Sequence, residues 1–373
     1  MKNLITWLAV CVCISVSNAD TWTVNYDGTA DFNTIQAAID ASMTGDEIIV
    51  MPGTYTSTTD QVVDITNKSI SISSAKGNAV TFIDGQFNRI GINCTSDSDL
   101  SIDGFTITNC TNNKGAGIAC DNSVITVQNC VFDNNSASAH GGGAHCLNNS
   151  LATFDSCTFT ENQANNGGAI GGNNSQLTVM DCSFEFNHSS SSGGAIRIYL
   201  GPSLAVYNSV FSSNTSSIGG AIRMISVQGA SQLEDCIFSE NTATTGAGVA
   251  AHSSLFTCTS STFSENAAKS AGGGVQCSGD SSDTIISDSY FCQNIPEHLY
   301  GCIADDSSNT YSETCPSDCL EDLNNDFVVN VGDLLIIFQD WGECVGCSSD
   351  ITGDGFVEAN DILAIVAAWG ICP

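Results

Sequence analysis

Basic residues are nearly absent from this sequence. Eight Lys and Arg stand against 40 Asp and Glu in 373 residues, a formal charge of −32. Such a chain repels nucleic acid and anionic membranes, which both need a basic surface. Neither is expected as a partner, whereas cations should be attracted. Long stretches of 3.6-residue periodicity are also missing, which argues against a helical fold. After the N-terminal segment no run of 18 apolar residues occurs, so no membrane span is expected. What is plentiful is Gly (35), Phe (17) and Cys (19), with much Ser, Thr and Asn between short apolar segments. That composition suits many short strands and turns.

The first residues read as an export signal. Lys2 supplies a positive charge, and Leu4 to Val16 form an apolar run too short to cross a bilayer. Ser17-Asn18-Ala19 puts small residues before a cleavage point after Ala19. The division expected is 1–19 signal peptide, 20–312 main domain and 313–373 tail, in a secreted, extracellular protein. Cys11 and Cys13 leave with the signal. The remaining cysteines meet an oxidising compartment where disulfides persist. Their odd number leaves at least one thiol free or paired between chains.

A repeat organises the main domain. Phe132, Phe159, Phe184, Phe211, Phe238, Phe263 and Phe291 recur at intervals of 25 to 28 residues. Three residues after each stands an asparagine: Asn135, Asn162, Asn187, Asn214, Asn241, Asn266 and Asn294. Between the units lie glycine pairs such as Gly193-Gly194 and Gly219-Gly220, and the pentapeptide Gly-Gly-Ala-Ile-Arg occurs twice, 26 residues apart. A fixed period of this size marks a solenoid, propeller or array. The short alternating segments predict one coil of three strands and three turns per repeat, with coils about 4.8 Å apart. The spacing predicts about ten coils over 57–312. Phe should stack in the bore, Asn should occupy left-handed turns and ladder its amides, and Gly should make the tight corners. Cys130, Cys157 and Cys182, two residues before the repeat Phe, should face inward, as should Cys120 and Cys146 on adjacent rungs. Their spacing suits either disulfides or packed thiols.

Phe-x-x-Asn with Gly-Gly-Ala-Ile resembles the repeat of polymorphic outer-membrane proteins. The stretch from Asp31 to Thr56 resembles the start of pectin-lyase-like proteins. Both resemblances imply an all-β, right-handed parallel β-helix. The second also implies an amphipathic helix capping its open end, with Ile35, Ala38, Ile39 and Met43 on the covering face. Because this fold hosts lyases, hydrolases, adhesins and spacers, the resemblance implies little about activity.

The tail has a different pattern. Residues 322–333 and 350–361 each place oxygen-bearing side chains at loop positions 1, 3, 5, 9 and 12. The first set is Asp322, Asn324, Asp326, Asn330 and Asp333. The second is Asp350, Thr352, Asp354, Glu358 and Asp361. The carbonyls of Val328 and Phe356 stand at position 7. A hard cation takes six to eight oxygens, and this spacing wraps them about one point, so two Ca2+ sites are expected. Each loop runs into an apolar helix ending in Trp-Gly, and the halves repeat at an interval of 28. The duplicated loop and helix resembles a type I dockerin, a small α-helical calcium-binding module of secreted bacterial proteins. The resemblance implies a cohesin-like partner. Two departures stand out. Phe327 replaces the usual Gly of the first loop, and Val331-Gly332 and Ala359-Asn360 replace the usual Ser-Thr recognition pair. Cys344 and Cys347, with Cys315, Cys319 and Cys372, are expected to form disulfides clipping this module, with zinc as the alternative.

Strand alternation identifies an outward row in the repeat: Ala119, His145, Gly171, Arg197, Arg223, Ala250 and Gln276. A second outward row contains Tyr199 and His252. Arg197, Tyr199, Arg223, His252 and Gln276 are therefore candidates for binding an acidic polysaccharide, because guanidinium forks grip carboxylates and sulfates. If chemistry occurs there, Arg197 or Arg223 would neutralise a uronate and Tyr199 or His145 would take the proton, a β-elimination. Hydrolysis needs two facing carboxylates, which this face lacks. Three readings remain open: a non-catalytic solenoid for glycan binding, adhesion or scaffolding, a polysaccharide lyase, and an inert spacer.

Overall fold

A computed structural model describes residues 19–281, 284–304, 307–315, 321–324, 328–344 and 347–371. Apart from Ala19, the expected signal peptide lies outside the described residues. From Thr21 to Ser312 the chain winds into a parallel β-helix. Three long sheets hold 12, 11 and 10 strands, and a fourth, interrupted sheet has pieces of four and two. One coil shows the plan. Ser183–Glu185 lies in the second sheet, His188–Ser192 in the fourth, Ile196–Tyr199 in the third and Leu204–Tyr207 in the first; Val210–Ser212 then re-enters the second. The second sheet has 11 strands, slightly more than the ten coils read from the repeat, because the winding begins before residue 57.

The expected phenylalanine stack is present. Successive rings from Phe132 to Phe291 lie 4.5 to 4.9 Å apart and within 8° of parallel. All seven rings are fully buried, and each buries on the order of 150–250 Å² on folding. The asparagine ladder runs beside them. Asn187 Oδ1 accepts both the backbone N–H and the Nδ2 of Asn162, while Asn187 Nδ2 donates to the carbonyl of Phe159 and to Asn214 Oδ1. Removing one amide would leave several buried groups unsatisfied, each costing about 1–3 kcal/mol.

The ladder corrects one expectation. These asparagines do not occupy the left-handed turn. The preceding residue does, and its type varies: Asn134, Glu161, Phe186, Ser213, Glu240, Glu265 and Gln293 have φ between 48° and 55°. The Asn is retained for its amide, which joins coils. At the opposite corner glycine is required. Gly193 has φ +67°, and a Cβ on Gly194 would lie 2.0 Å from the Gly220 carbonyl oxygen.

Helix α1, Ile35–Ala41, caps the first coil. Thr34 accepts from the Ala37 N–H at its start, and Ile35, Ala38 and Ile39 are buried. Met43 is not part of this face. The helix ends before it, and its side chain is 61 % exposed. At the other end, disulfides join Cys277 to Cys302 and Cys292 to Cys315. Cys315 thus ties the last coils rather than the tail. The inward cysteines Cys94, Cys110, Cys120, Cys130, Cys146, Cys157, Cys182, Cys236 and Cys258 are buried free thiols, so the rung-to-rung disulfides allowed at Cys120 and Cys146 do not form.

The tail is built twice on one plan. Helix α2 spans Val331–Gln339 and helix α3 spans Ala359–Ala367. Asp333 and Asp361 close equivalent capping boxes with Asn330 and Glu358. Two short antiparallel pairs, Val328–Val329 with Gly370–Ile371 and Gly342–Glu343 with Phe356–Val357, brace the halves. Val329, Ile337, Val357 and Ile365 form the buried core. Cys344 is bonded to Cys347, and Cys319 and Cys372 lie outside the described residues.

Candidate anion site and tail loops

The third sheet keeps continuous register through the outward row. His145 pairs across to Gly171, Gly171 to Arg197, Arg197 to Arg223, Arg223 to Ala250, and Ala250 to Gln276. The alternation therefore placed these residues correctly. Their environment differs from an open face. His145 is 1 % exposed and Arg223 9 %; Arg197 is half-buried and Tyr199 exposed. The cause is the glycine corner, which turns the fourth-sheet strand sharply into the third-sheet strand. A residue just before the corner then faces one just after it. His140, on the strand Ser136–His140, stacks on His145 with ring centroids 5.3 Å apart. Lys114 occupies the equivalent place one coil earlier, in register with His140.

The result is a packed cluster of cationic and imidazole side chains in an acidic protein. Burial lowers the His145 pKa to about 3, and His140, Lys114 and Arg197 add to the effect. Burial, Arg197 and Lys114 lower His140. Burial and Arg197 lower Arg223 to about 10. Both ring nitrogens of His145, Nδ1 of His140, Nε of Arg197, and Nε and Nη1 of Arg223 are buried without a hydrogen-bond partner. Arg197 Nη1 donates to Asn173 Oδ1 at 3.1 Å, and its guanidinium lies 5.1 Å from the Tyr199 ring centroid. A buried N–H without an acceptor is costly unless something else supplies one.

Other candidates lie apart from this cluster. His252 is exposed and its Nδ1 meets Ser278 Oγ at 3.0 Å. Gln276 stands two rungs beyond Arg223 and donates to the Cys277 carbonyl. His140 and Lys114 escaped the sequence reading because they belong to another strand. The signal was their shared place immediately before a left-handed glycine, Gly141 or Gly115.

In the tail, all described candidate ligands are oxygen donors in two matching loops. Asp333 Oδ1 accepts from the N–H groups of Leu323 and Asn324, and Asp361 Oδ1 from the N–H and hydroxyl of Thr352. Asp350 accepts from Asp354 and Gly355 N–H, and Asp354 from Phe356 N–H. Gly355 has φ +90°, the conformation for which glycine is suited. Asp326 and Phe327 lie outside the described residues. Among the described residues no three carboxylate, imidazole or thiol groups converge as a metal cluster. Hard oxygen donors fit calcium in kind.

A model of the right handed β-helix region family matches residues 137–291. The solenoid is right-handed. Among solved structures, a carrot pectin methylesterase aligns at 14 % identity with a TM-score of 0.32, covering 79 % of this chain and 88 % of its own. A rhamnogalacturonan lyase aligns at 12 % identity with a TM-score of 0.38, covering 80 % and 90 %. No curated protein matches the sequence. No described helix is long and apolar enough to cross a membrane.

Proposed function

We propose that this is a secreted β-helix protein that binds acidic polysaccharide without cleaving it, and that its tail folds around two Ca2+ ions and docks a partner. The observation that carries the binding reading is the pairing of Arg197 with Arg223 on adjacent rungs, with buried N–H groups lacking acceptors. Like charges on adjacent rungs disfavour one another, and an anionic ligand reverses that cost. Cleavage with His145 as the base is disfavoured. His145 is sealed from solvent, and a pKa of about 3 makes it a weak base.

Docking is supported by apolar side chains on the tail surface. Leu335 and Phe338 lie on α2 with Trp341 just after it, and Leu363 and Val366 lie on α3 with Trp369 just after it, each more than half exposed. An exposed apolar patch of this kind marks an interaction site. A cohesin-like domain is the proposed partner.

A glycan array, with ultraviolet detection of unsaturated uronates on every acidic polymer retained, tests the binding reading. Retention without new absorbance is expected, with loss in the Arg197→Ala, Arg223→Ala double variant. New absorbance would establish the lyase instead, and no retention at all would leave the spacer.

A further inference from the structure

A buried carboxylate holds the start of the solenoid. Asp20 immediately precedes the first strand, Thr21–Val24, and its N–H donates to Asp46 Oδ1 at 2.9 Å. Asp46 is 4 % exposed. Its Oδ2 accepts from the Met43 N–H at 2.9 Å and from Trp22 Nε1 at 3.0 Å. The Met43 and Asp20 N–H groups, foremost among these donors, hold its carboxyl below the usual carboxylate range against the opposing effect of burial. Asp46 is therefore an anion that ties the chain start to the first strand and to the turn after α1. Burying an anion is costly unless a cation pairs with it. Among the described residues no Lys, Arg or His side chain bonds to Asp46. Lys68 acts on it only at longer range, because its ammonium donates to the carbonyls of Ile39, Asp40 and Ser42.

We propose that hydrolysis of the Ala19–Asp20 peptide bond is a modification that completes this site, turning the Asp20 N–H into an α-ammonium paired with Asp46. This rests on the reading of the protein as secreted, but not on the anion site or the tail. Ala19 and Asp20 are both exposed, so the bond is open to an endopeptidase of the export machinery. Water supplies both new groups. Its hydroxyl joins the Ala19 carbonyl carbon as the C–N bond breaks, and its proton joins the Asp20 nitrogen. The acid so formed passes its own proton to the amine, leaving a carboxylate and an ammonium. The bond to Asp46 Oδ1 keeps its place and becomes a contact between two charges, stronger than a neutral hydrogen bond. The Asp20 carbonyl, which accepts from the Glu47 N–H at 2.9 Å, holds the nitrogen in register. The other charged groups on the adjoining segments are the Asp20 carboxylate, Asp31, which bonds to Thr23, Asp40 on α1, Glu47 and Lys68. A free α-amine titrates at roughly 7.7–8.0, and pairing with Asp46 raises that value. The stabilisation is therefore complete below about pH 7.7 and is lost as pH rises through the raised value.

The test produces the full chain in an exporting bacterial host and reads the first residue of the released protein by mass spectrometry. Asp20 is expected. Competitive acetylation of the α-amine with acetic anhydride across pH then measures its pKa, folded and in denaturant, from the N-terminal peptide. The folded value should lie about one pH unit above the denatured one, and Asp46→Asn should remove most of the difference. A second variant guards against misfolding of the first. One extra Ala ahead of Asp20 keeps every native side chain but moves the ammonium away from Asp46. It should melt below the parent at about pH 6 and level with it at about pH 10, where the amine is neutral. A first residue other than Asp20, or a folded α-amine that titrates with the denatured one, overturns the proposal. If Asp20 is first and its amine is unshifted, export stands and the pairing falls. If nothing is exported, but a cytoplasmic copy cut by a protease to leave Asp20 first shows the raised value, the pairing stands and the secreted reading falls.

Discussion

A histidine walled into a β-helix beside other cations must stay neutral, and this has a measurable cost. His145 has an ordinary pKa of 6.5 when unfolded and about 3 when folded. Between those values the unfolded chain holds a proton that the folded chain does not. Acidification therefore favours unfolding across that window, whereas above about pH 6.5 both states are neutral and the contribution vanishes. The slope approaches about 1.4 kcal/mol per pH unit for one proton. In sulfate-free buffer, His145→Leu should lose less stability than the parent between about pH 7 and about pH 4.5. Denaturant unfolding at several pH values checks this, and equal losses in the two proteins would refute it. Burial is the largest cause of the shift, and the charges of His140, Lys114 and Arg197 add to it. This environment was not legible in the sequence. The alternation correctly assigned His145 to the outer row, but not the strand that folds down over it.

At the scale of elements, the tail is the least self-sufficient part. Helices α2 and α3 have nine residues each, which is short for a stable helix in water. Their shared core contains four fully buried side chains. Such a small core needs a metal or cross-links. Chelation of calcium in the full-length protein should lower helical ellipticity and alter the fluorescence of Trp341 and Trp369, and returned calcium should restore both. Signals indifferent to both treatments would sink the calcium reading. The first loop should be the weaker site, because Phe327 stands where the second loop has Gly355 at φ +90°. Here sequence and structure agree closely. Asp333 and Asp361, Val329 and Val357, and Ile337 and Ile365 hold matching roles 28 residues apart.

Across the whole molecule, the β-helix protects its thiols by packing. Nine free cysteines are buried in the solenoid, and burial pushes Cys110, Cys130, Cys236 and Cys258 up to about 12. The thiolate is the reactive form; Cys120, pulled down to about 4 by hydrogen bonds with Cys146 and Cys94, is buried like the rest, so lack of access protects it and alkylation should be negligible in the native protein and complete after denaturation. Mass spectrometry of both states measures it, and native labelling at the rate of an exposed cysteine would contradict the structure. The net charge of −32 acts at this scale too. It repels anions at a distance, so the cationic corner must work at short range, within the Debye length of about 8 Å at physiological salt. Added salt should screen the repulsion as well as the contact.

The sequence by itself determined the solenoid. Stacked coils place like residues on like, so the requirements of one rung recur in every rung. Phe filling the bore, Asn joining turns and Gly at the corner could therefore be read from their spacing alone. The duplication of the tail was legible for the same reason. Tertiary structure decided what a periodic pattern cannot express. It brought His140 onto His145 from a different strand, buried Arg223, and set the His145 ring against Gly171, where a Cβ would lie 2.9 Å from its Cδ2. It also chose the cysteine partners. Cys277 and Cys302 approach to 5.0 Å between Cα atoms in a geometry that bonds them, while Cys120 stays a thiol between in-register Cys94 and Cys146. A repeat fixes which residues share a row, but the angle between neighbouring rows is set only when the glycine corner closes.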